Sequence, residues 1–87
     1  MPNYSNGILR MHDQPATSHA IKVKEFDEQG ITFYHRLPLV GRRAMLVLES
    51  PRVGPLTTEV DLTWCHFNRR GQYTSGGRIV RQIGKTA

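Results

Sequence analysis

The clearest pattern in this chain is an alternation of apolar and polar residues in its last third. Leu56, Val60, Leu62 and Trp64 all occupy even-numbered positions, and threonines and acidic residues stand between them. A period of two is typical of a β-strand with one buried face. We therefore predict a strand over residues 56–64 whose four apolar side chains lie in the core.

A basic turn closes this strand into a long β-hairpin. Residues 68–71, with the sequence Asn-Arg-Arg-Gly, include types that tolerate the positive φ angles of tight hairpin turns. The chain then returns over residues 73–80 as a second strand, which Gly76 and Gly77 interrupt. Residues 79–83 either end this strand or form a short C-terminal helix.

Four shorter strands are predicted earlier in the chain. They cover residues 7–12, the stretch around Ile21 and Val23, residues 31–36 and residues 42–49. Residues 42–49 also suit a helix by composition, but the short length of this segment favours a strand. Six strands with turn signals between them predict an all-β fold, either a sandwich or a small antiparallel six-stranded barrel. We predict the barrel, because closing the sheet removes its unpaired edges.

The chain has room for one small domain. Its 87 residues suffice for one modest core, and we expect a flexible N-terminus over residues 1–6, a single domain over 7–83 and a flexible C-terminus over 84–87. The single cysteine, Cys65, cannot form an intrachain disulfide, so we expect a buried or half-buried structural thiol. No apolar run approaches the roughly 20 residues of a membrane span, which favours a soluble cytoplasmic protein.

The chain is basic, with a formal net charge of +5. No acidic residue follows Asp61, whereas arginines continue beyond it, and three of the acids gather within residues 25–28. A positive surface attracts phosphate-bearing partners. Arginines on the solvent face of a strand also keep a protein soluble and protect sheet edges, so both interpretations stay open.

The sequence lacks the usual signatures of catalysis and of metal binding. The four histidines are scattered (His12, His19, His35 and His66). The one histidine adjacent to the cysteine is His66, and neighbours such as Cys65 and His66 point to opposite faces of a strand. There is no phosphate loop of the nucleotide-triphosphatase kind and no dinucleotide-binding fingerprint. We therefore expect a protein that is not an enzyme and that holds neither a metal nor a cofactor.

The order of these parts resembles the PilZ domain family. The stretches KVKEFDEQGITFYHRLPLVGRRAMLVLES and EVDLTWCHFNRRGQYTSGGRIV place an acidic turn, an aromatic strand, a Leu-Pro-Leu break, an apolar strand and a Trp-bearing hairpin in the family's order. The resemblance covers about residues 20–81. It implies a small β-barrel, and many PilZ domains bind the bacterial second messenger cyclic di-GMP.

The resemblance also implies which residues would contact that ligand. The family's Asp-x-Ser-x-x-Gly turn falls on residues 25–30, where Glu25 and Asp27 replace the Asp and the Ser, and Gly30 matches. The family's Arg-x-x-x-Arg segment is represented by Arg10 alone, because Gln14 stands where the second arginine is needed. Loss of a bidentate guanidinium and the presence of carboxylates predict weak binding in the usual mode.

Three functions follow from these observations. The first is a non-enzymatic PilZ-like module of bacterial signalling that binds cyclic di-GMP through Arg10, Glu25, Asp27 and Gly30. The second is a degenerate PilZ-like barrel that binds a protein partner and no nucleotide. The third is a small basic barrel that binds RNA or single-stranded DNA through Arg69, Arg70 and Tyr73 at the hairpin tip.

Overall fold

The chain folds into six antiparallel strands that close into a barrel. The computed structural model describes residues 4–50 and 55–85. Its strands are β1 (Asn6–Met11), β2 (His19–Phe26), β3 (Gly30–His35), β4 (Arg43–Glu49), β5 (Leu56–Phe67) and β6 (Tyr73–Lys85). This confirms the predicted six-stranded barrel. The alternative of a short helix at residues 79–83 is wrong, because those residues continue β6.

Closure gives every strand two neighbours. Around the barrel the order is β1-β2-β3-β6-β5-β4, and β1 pairs with β4 to complete the ring. Each strand is therefore paired on both sides over part of its length, and none is an edge strand of the ring. Tyr4 is buried and β6 ends at Lys85, so the described structure begins before Gly7 and ends after Ile83. The described residues contain no helix that is long and apolar enough to cross a membrane.

The core follows from the alternation within each strand. In β4, Ala44, Leu46 and Leu48 are fully buried, whereas the residues between them are partly exposed. This confirms that segment 42–49 is a strand. Ile31 and Phe33 of β3 are also buried. The buried apolar residues of the described chain form one cluster (Tyr4, Leu9, Met11, Ile21, Ile31, Phe33, Ala44, Leu46, Leu48, Leu56, Val60 and Leu62).

The period of two breaks within β5. Leu62 pairs with Gly77 but Trp64 pairs with Gly76, so Thr63 is an extra residue in β5. A bulge of this kind reverses the face to which the following side chains point. Leu56, Val60 and Leu62 are buried as predicted, but the prediction for Trp64 is wrong, since the residue is 47% exposed.

Cys65 is also placed differently from the prediction. Its side chain is exposed, so it is not a buried or half-buried structural thiol. Cys65 follows the bulge and lies where β5 and β6 extend away from the core, and all described residues of β5 from Thr63 to Phe67 are exposed. The exposure of Cys65 follows from this extension and not from the bulge, because a bulge that turns Trp64 outward turns its neighbour inward.

Two acids of β5 are buried beneath arginines. The Arg81 Nε donates to Glu59 at 2.9 Å, with Arg43 at 3.6 Å from the same carboxylate, and Arg42 lies 3.3 Å from Asp61. Burial alone would raise the pKa of Glu59, but the Arg81 hydrogen bond and the nearby positive charges outweigh it, and the pKa is lowered. These three arginines thus neutralise internal acids, which reduces the basic surface available to a partner.

Substitution of Gly77 by alanine should destabilise the barrel more than the same change at Gly71. A Cβ on Gly77 would overlap the backbone of Asp61 and Leu62, which can move only by separating β5 from β6. Gly71 has a φ of 75° and open space around it, so Gly71→Ala costs only the left-handed strain of about 1–2 kcal/mol. Urea unfolding of both variants measures the difference. Equal losses would contradict the close contact between the strands.

Candidate ligand-binding groove

A second bulge, in β2, turns Glu25 toward the outer face. Val23 pairs with Phe33 and Glu25 pairs with Thr32, which leaves Lys24 as an extra residue. Since paired residues share a face, Glu25 points outward with Thr32. Phe26 turns inward instead and packs against the core. The bulge therefore places a carboxylate on the outer surface at a position where strict alternation would have placed it inside.

The two bulges bring Glu25 and Trp64 into one row across four strands. Glu25 pairs with Thr32, Thr32 with Gly76, and Gly76 with Trp64. At the ordinary strand spacing, the two end residues are separated by about 14 Å of sheet. The small residues between them form a shallow floor. A Cβ on Gly76 would overlap the Trp64 indole, so the indole lies against this glycine.

The acidic turn forms one end of this row. The Asp27 Oδ1 accepts hydrogen bonds from the backbone N–H groups of Gln29 at 2.8 Å and Gly30 at 2.9 Å. These two backbone hydrogen bonds lower the pKa of Asp27. Gly30 has no positive φ in this structure. It is needed because a Cβ there would lie 2.8 Å from the carbonyl oxygen of Gly77.

Together these residues line a groove of about 290 Å³. We call it the turn groove and define it by Glu25, Asp27, Gly30, Thr32, Trp64 and Arg78. Arg78 enters it because it pairs with Gly30 across β3 and β6. The groove therefore combines carboxylates, an exposed indole and a guanidinium, which are separated in sequence by more than half the chain.

The structure brings together three of the four residues that the PilZ resemblance implies, but not Arg10. Arg10 pairs with Met45 near the end of β1, whereas the opposite end of β1 pairs with Lys22 of β2. Counting residues along β1 and β2 places Arg10 about 20 Å from Glu25. Its guanidinium instead makes a long 3.5 Å hydrogen bond to the carbonyl of Pro15. Arg10 is therefore not part of the turn groove.

The hairpin tip carries the residues of the nucleic-acid hypothesis. Asn68 Oδ1 accepts from the backbone N–H of Arg70 at 2.9 Å, which orders the turn, and Arg69 and Arg70 are both exposed. Tyr73 is less available, because its ring stacks on His35 with centroids 5.2 Å apart and an interplanar angle of 9°. The tip is thus a pair of free arginines beside an aromatic ring that is already packed.

Trp64 and Arg78 are groove residues that the sequence did not reveal. The alternation in β5 assigned Trp64 to the core, and Arg78 was one of several scattered cations. The available signal was the pair Gly76 and Gly77, because glycines within a strand often mark a bulge or a close approach of two backbones. Such a signal locates an irregularity but does not show which side chain it turns outward.

Comparison with known proteins adds no relative to this picture. No family model matches the chain, and neither a curated protein nor a solved structure matches it. Among the described residues, no group of three or more His, Cys, Asp or Glu side chains is arranged to hold a metal ion. The functional argument therefore rests on the residues of the groove.

Substitution of Asp27 by alanine should destabilise the protein at neutral pH and progressively less at acidic pH. The folded pKa lies below the ordinary value of 3.8, so the carboxylate contributes stability that is present above that value and is lost as the pH falls through the folded pKa. Urea unfolding of wild type and Asp27→Ala at pH 6 and pH 2.5 measures this.

Glu28→Ala is the matched control, since Glu28 is an exposed acid of the same turn and makes no hydrogen bond among those found for the described residues. It should change stability less than Asp27→Ala at pH 6. Equal effects of the two substitutions would show that the turn does not depend on Asp27 Oδ1.

Proposed function

We propose that this protein is a non-enzymatic, cytoplasmic PilZ-like module of bacterial signalling whose turn groove binds a guanine nucleotide of the cyclic di-GMP type. The observation that carries the proposal is the meeting of Glu25, Asp27 and Gly30 with Trp64 and Arg78 in one groove. The closed six-stranded barrel, which is the architecture that the resemblance implies, supports it.

The chemistry of the groove suits a guanine base. An exposed indole offers a flat face on which a base can stack. The carboxylates of Glu25 and Asp27 accept hydrogen bonds only, and the Watson–Crick edge of guanine carries N–H donors that they can receive. Arginine pairs with guanine O6 and N7 or with phosphate, so Arg78 can contact either part of the ligand. The acids that repel phosphate are therefore compatible with recognition through the base.

The phosphates of such a ligand are less well matched. Arg78 is the only arginine or lysine among the described residues that line the groove, and Arg10 lies too far away to contribute. One exposed guanidinium gives a modest contact that salt weakens. We therefore expect binding that is weak, selective for guanine and sensitive to ionic strength.

Titration with cyclic di-GMP, followed by fluorescence, tests the proposal directly because Trp64 is the single tryptophan of the chain. A saturable change of its emission is expected with cyclic di-GMP, and a much smaller one with cyclic di-AMP. By calorimetry, Trp64→Ala should weaken binding roughly 5-fold to 150-fold, the range for loss of one base–aromatic stack.

Arg78→Gln and Arg10→Gln form a matched pair, since each removes one exposed guanidinium. The first should weaken cyclic di-GMP binding and the second should leave it unchanged. An absence of saturable binding at millimolar ligand would refute the proposal. An equal loss from both variants would assign the effect to overall charge rather than to the groove.

Single-stranded nucleic acid is a second candidate ligand, and the surface that favours it is the hairpin tip. Arg70 at the hairpin tip lines a depression together with Arg36 and Gln72. Phe67, adjacent to this tip, is exposed and contacts Tyr73 edge-on at 4.8 Å between ring centroids. Guanidinium groups beside an exposed aromatic ring are the ordinary means of binding a single strand.

The double substitution Arg69→Ala/Arg70→Ala should weaken binding of a labelled single-stranded oligonucleotide and flatten its salt dependence by about one slope unit per lost phosphate contact. Anisotropy titrations at several salt concentrations measure both quantities. Lys24→Ala/Arg78→Ala removes the same charge away from the tip and should have a smaller effect. If the two double variants behave alike, the tip is not the binding surface. If neither nucleotide nor oligonucleotide binds, the protein-interaction module is the remaining hypothesis.

A further inference from the structure

The barrel wall has an opening where β2 and β3 separate, apart from the turn groove. The pairing of these strands reaches Lys22 and Tyr34 and does not continue beyond them. Past that point β2 stays with β1, as in the pair of His19 with Leu9, and β3 stays with β6, as in the pair of His35 with Tyr73. The resulting cleft has a volume of about 660 Å³, a size typical of sites for small ligands.

The cleft is positive. Lys22 and Arg36 line it together with the polar residues Ser18, Tyr34 and Gln72, and none of the described lining residues carries a carboxylate. In the turn groove, by contrast, Arg78 lies together with two acids, Glu25 and Asp27. The two sites share no lining residue. The β2–β3 cleft is therefore a place where a small anion meets cations without opposing charge.

A buried and unpartnered histidine lines the same cleft. His19 is 7% exposed, and its Nε2 has no hydrogen-bond partner among the described residues. A buried polar atom without a partner is uncommon and costly. It is also a hydrogen-bonding group that is available to a ligand which enters the cleft.

The neighbouring His35 differs from His19, because both of its ring nitrogens have hydrogen-bond partners. Its Nδ1 lies 2.7 Å from the carbonyl oxygen of Leu37, which can only accept, so Nδ1 carries the proton. Burial lowers the pKa of His35 and favours the neutral ring, whose Nε2 accepts from the Ser75 hydroxyl at 2.7 Å. Both nitrogens of His35 thus have hydrogen-bond partners, whereas the buried Nε2 of His19 has none among the described residues.

We propose that the β2–β3 cleft binds a nucleoside monophosphate, with the phosphate at Lys22 and Arg36 on the rim and a polar group of the sugar or base at the Nε2 of His19. Tyr34, which pairs with Lys22 and also lines the cleft, offers an aromatic surface for the base. The site is separate from the turn groove and does not depend on the function proposed for it.

The test is an NMR titration of the full chain with AMP, with inorganic phosphate, ribose 5-phosphate and adenosine as partial ligands. AMP should produce saturable shifts of the His19 ring and the Tyr34 ring while the Trp64 indole resonance stays in place. Each partial ligand should bind more weakly than AMP. No saturable shift at His19 with millimolar AMP would overturn the proposal, and equal binding of AMP and ribose 5-phosphate would overturn the contact with a base.

Three variants locate the contacts. Lys22→Gln and Arg36→Gln should each weaken AMP binding roughly tenfold, the effect of losing one charge-assisted hydrogen bond, whereas Arg10→Gln should not. His19→Phe should lower the AMP affinity without lowering stability, because it removes a buried polar atom that has no partner. A stable His19→Phe protein with unchanged AMP affinity would contradict the role of His19. If that variant does not fold, the comparison of Lys22→Gln and Arg36→Gln with Arg10→Gln decides.

Binding of cyclic di-GMP is detected by the emission of Trp64, and binding of AMP by the NMR signals of His19. Each proposal can therefore be refuted without affecting the other. A shift of Trp64 with AMP and none at His19 would place the monophosphate in the turn groove and refute the second site.

Discussion

The close contact between Gly76-Gly77 of β6 and the bulged part of β5 is the constraint on which the rest of the structure depends. A Cβ at Gly77 would meet the backbone of Asp61 and Leu62, and a Cβ at Gly76 would meet the Trp64 ring. Two strands can approach this closely only where one of them lacks side chains. The approach accommodates the extra residue Thr63, and bulges bend a strand in the manner that a small barrel needs.

The candidate site is a consequence of this irregularity. Regular alternation would bury Trp64 with Leu62 and would point Glu25 inward with Val23. The bulges at Lys24 and Thr63 reverse both positions and set the two side chains in one row with Thr32 and Gly76. The floor is low because its residues are small, and the ends carry a carboxylate and an indole. Bulges re-aim side chains, and two of them do so here.

Much of the fold was accessible from the sequence because it rests on local rules. Alternation identified the strands, turn residues separated them, and the requirement to remove sheet edges favoured closure. The assignment of segment 42–49 to a strand was decided by its length, and the burial of Leu46 and Leu48 agrees with it. These features depend on a few neighbouring residues at a time, which a single sequence contains.

The site was less accessible because it depends on contacts between distant segments. The outward position of Trp64 follows from a register shift against Gly76, and the burial of Glu59 follows from arginines on β4 and β6. The need for a glycine at position 30 follows from the approach of the Gly77 carbonyl oxygen. The distance of Arg10 from the turn groove likewise follows from its pairing with Met45, which alternation does not predict. None of these pairings is encoded by alternation within one strand.

The nuclear Overhauser contacts of the Trp64 indole in the free protein test the bulged register of β5 most directly. The bulged register predicts strong contacts to the Gly76 α-protons, together with ready access of the ring to a soluble quencher. Strong contacts from the indole to Phe33 or Leu46 would show that Trp64 lies in the core, and would contradict both the register and the groove derived from it.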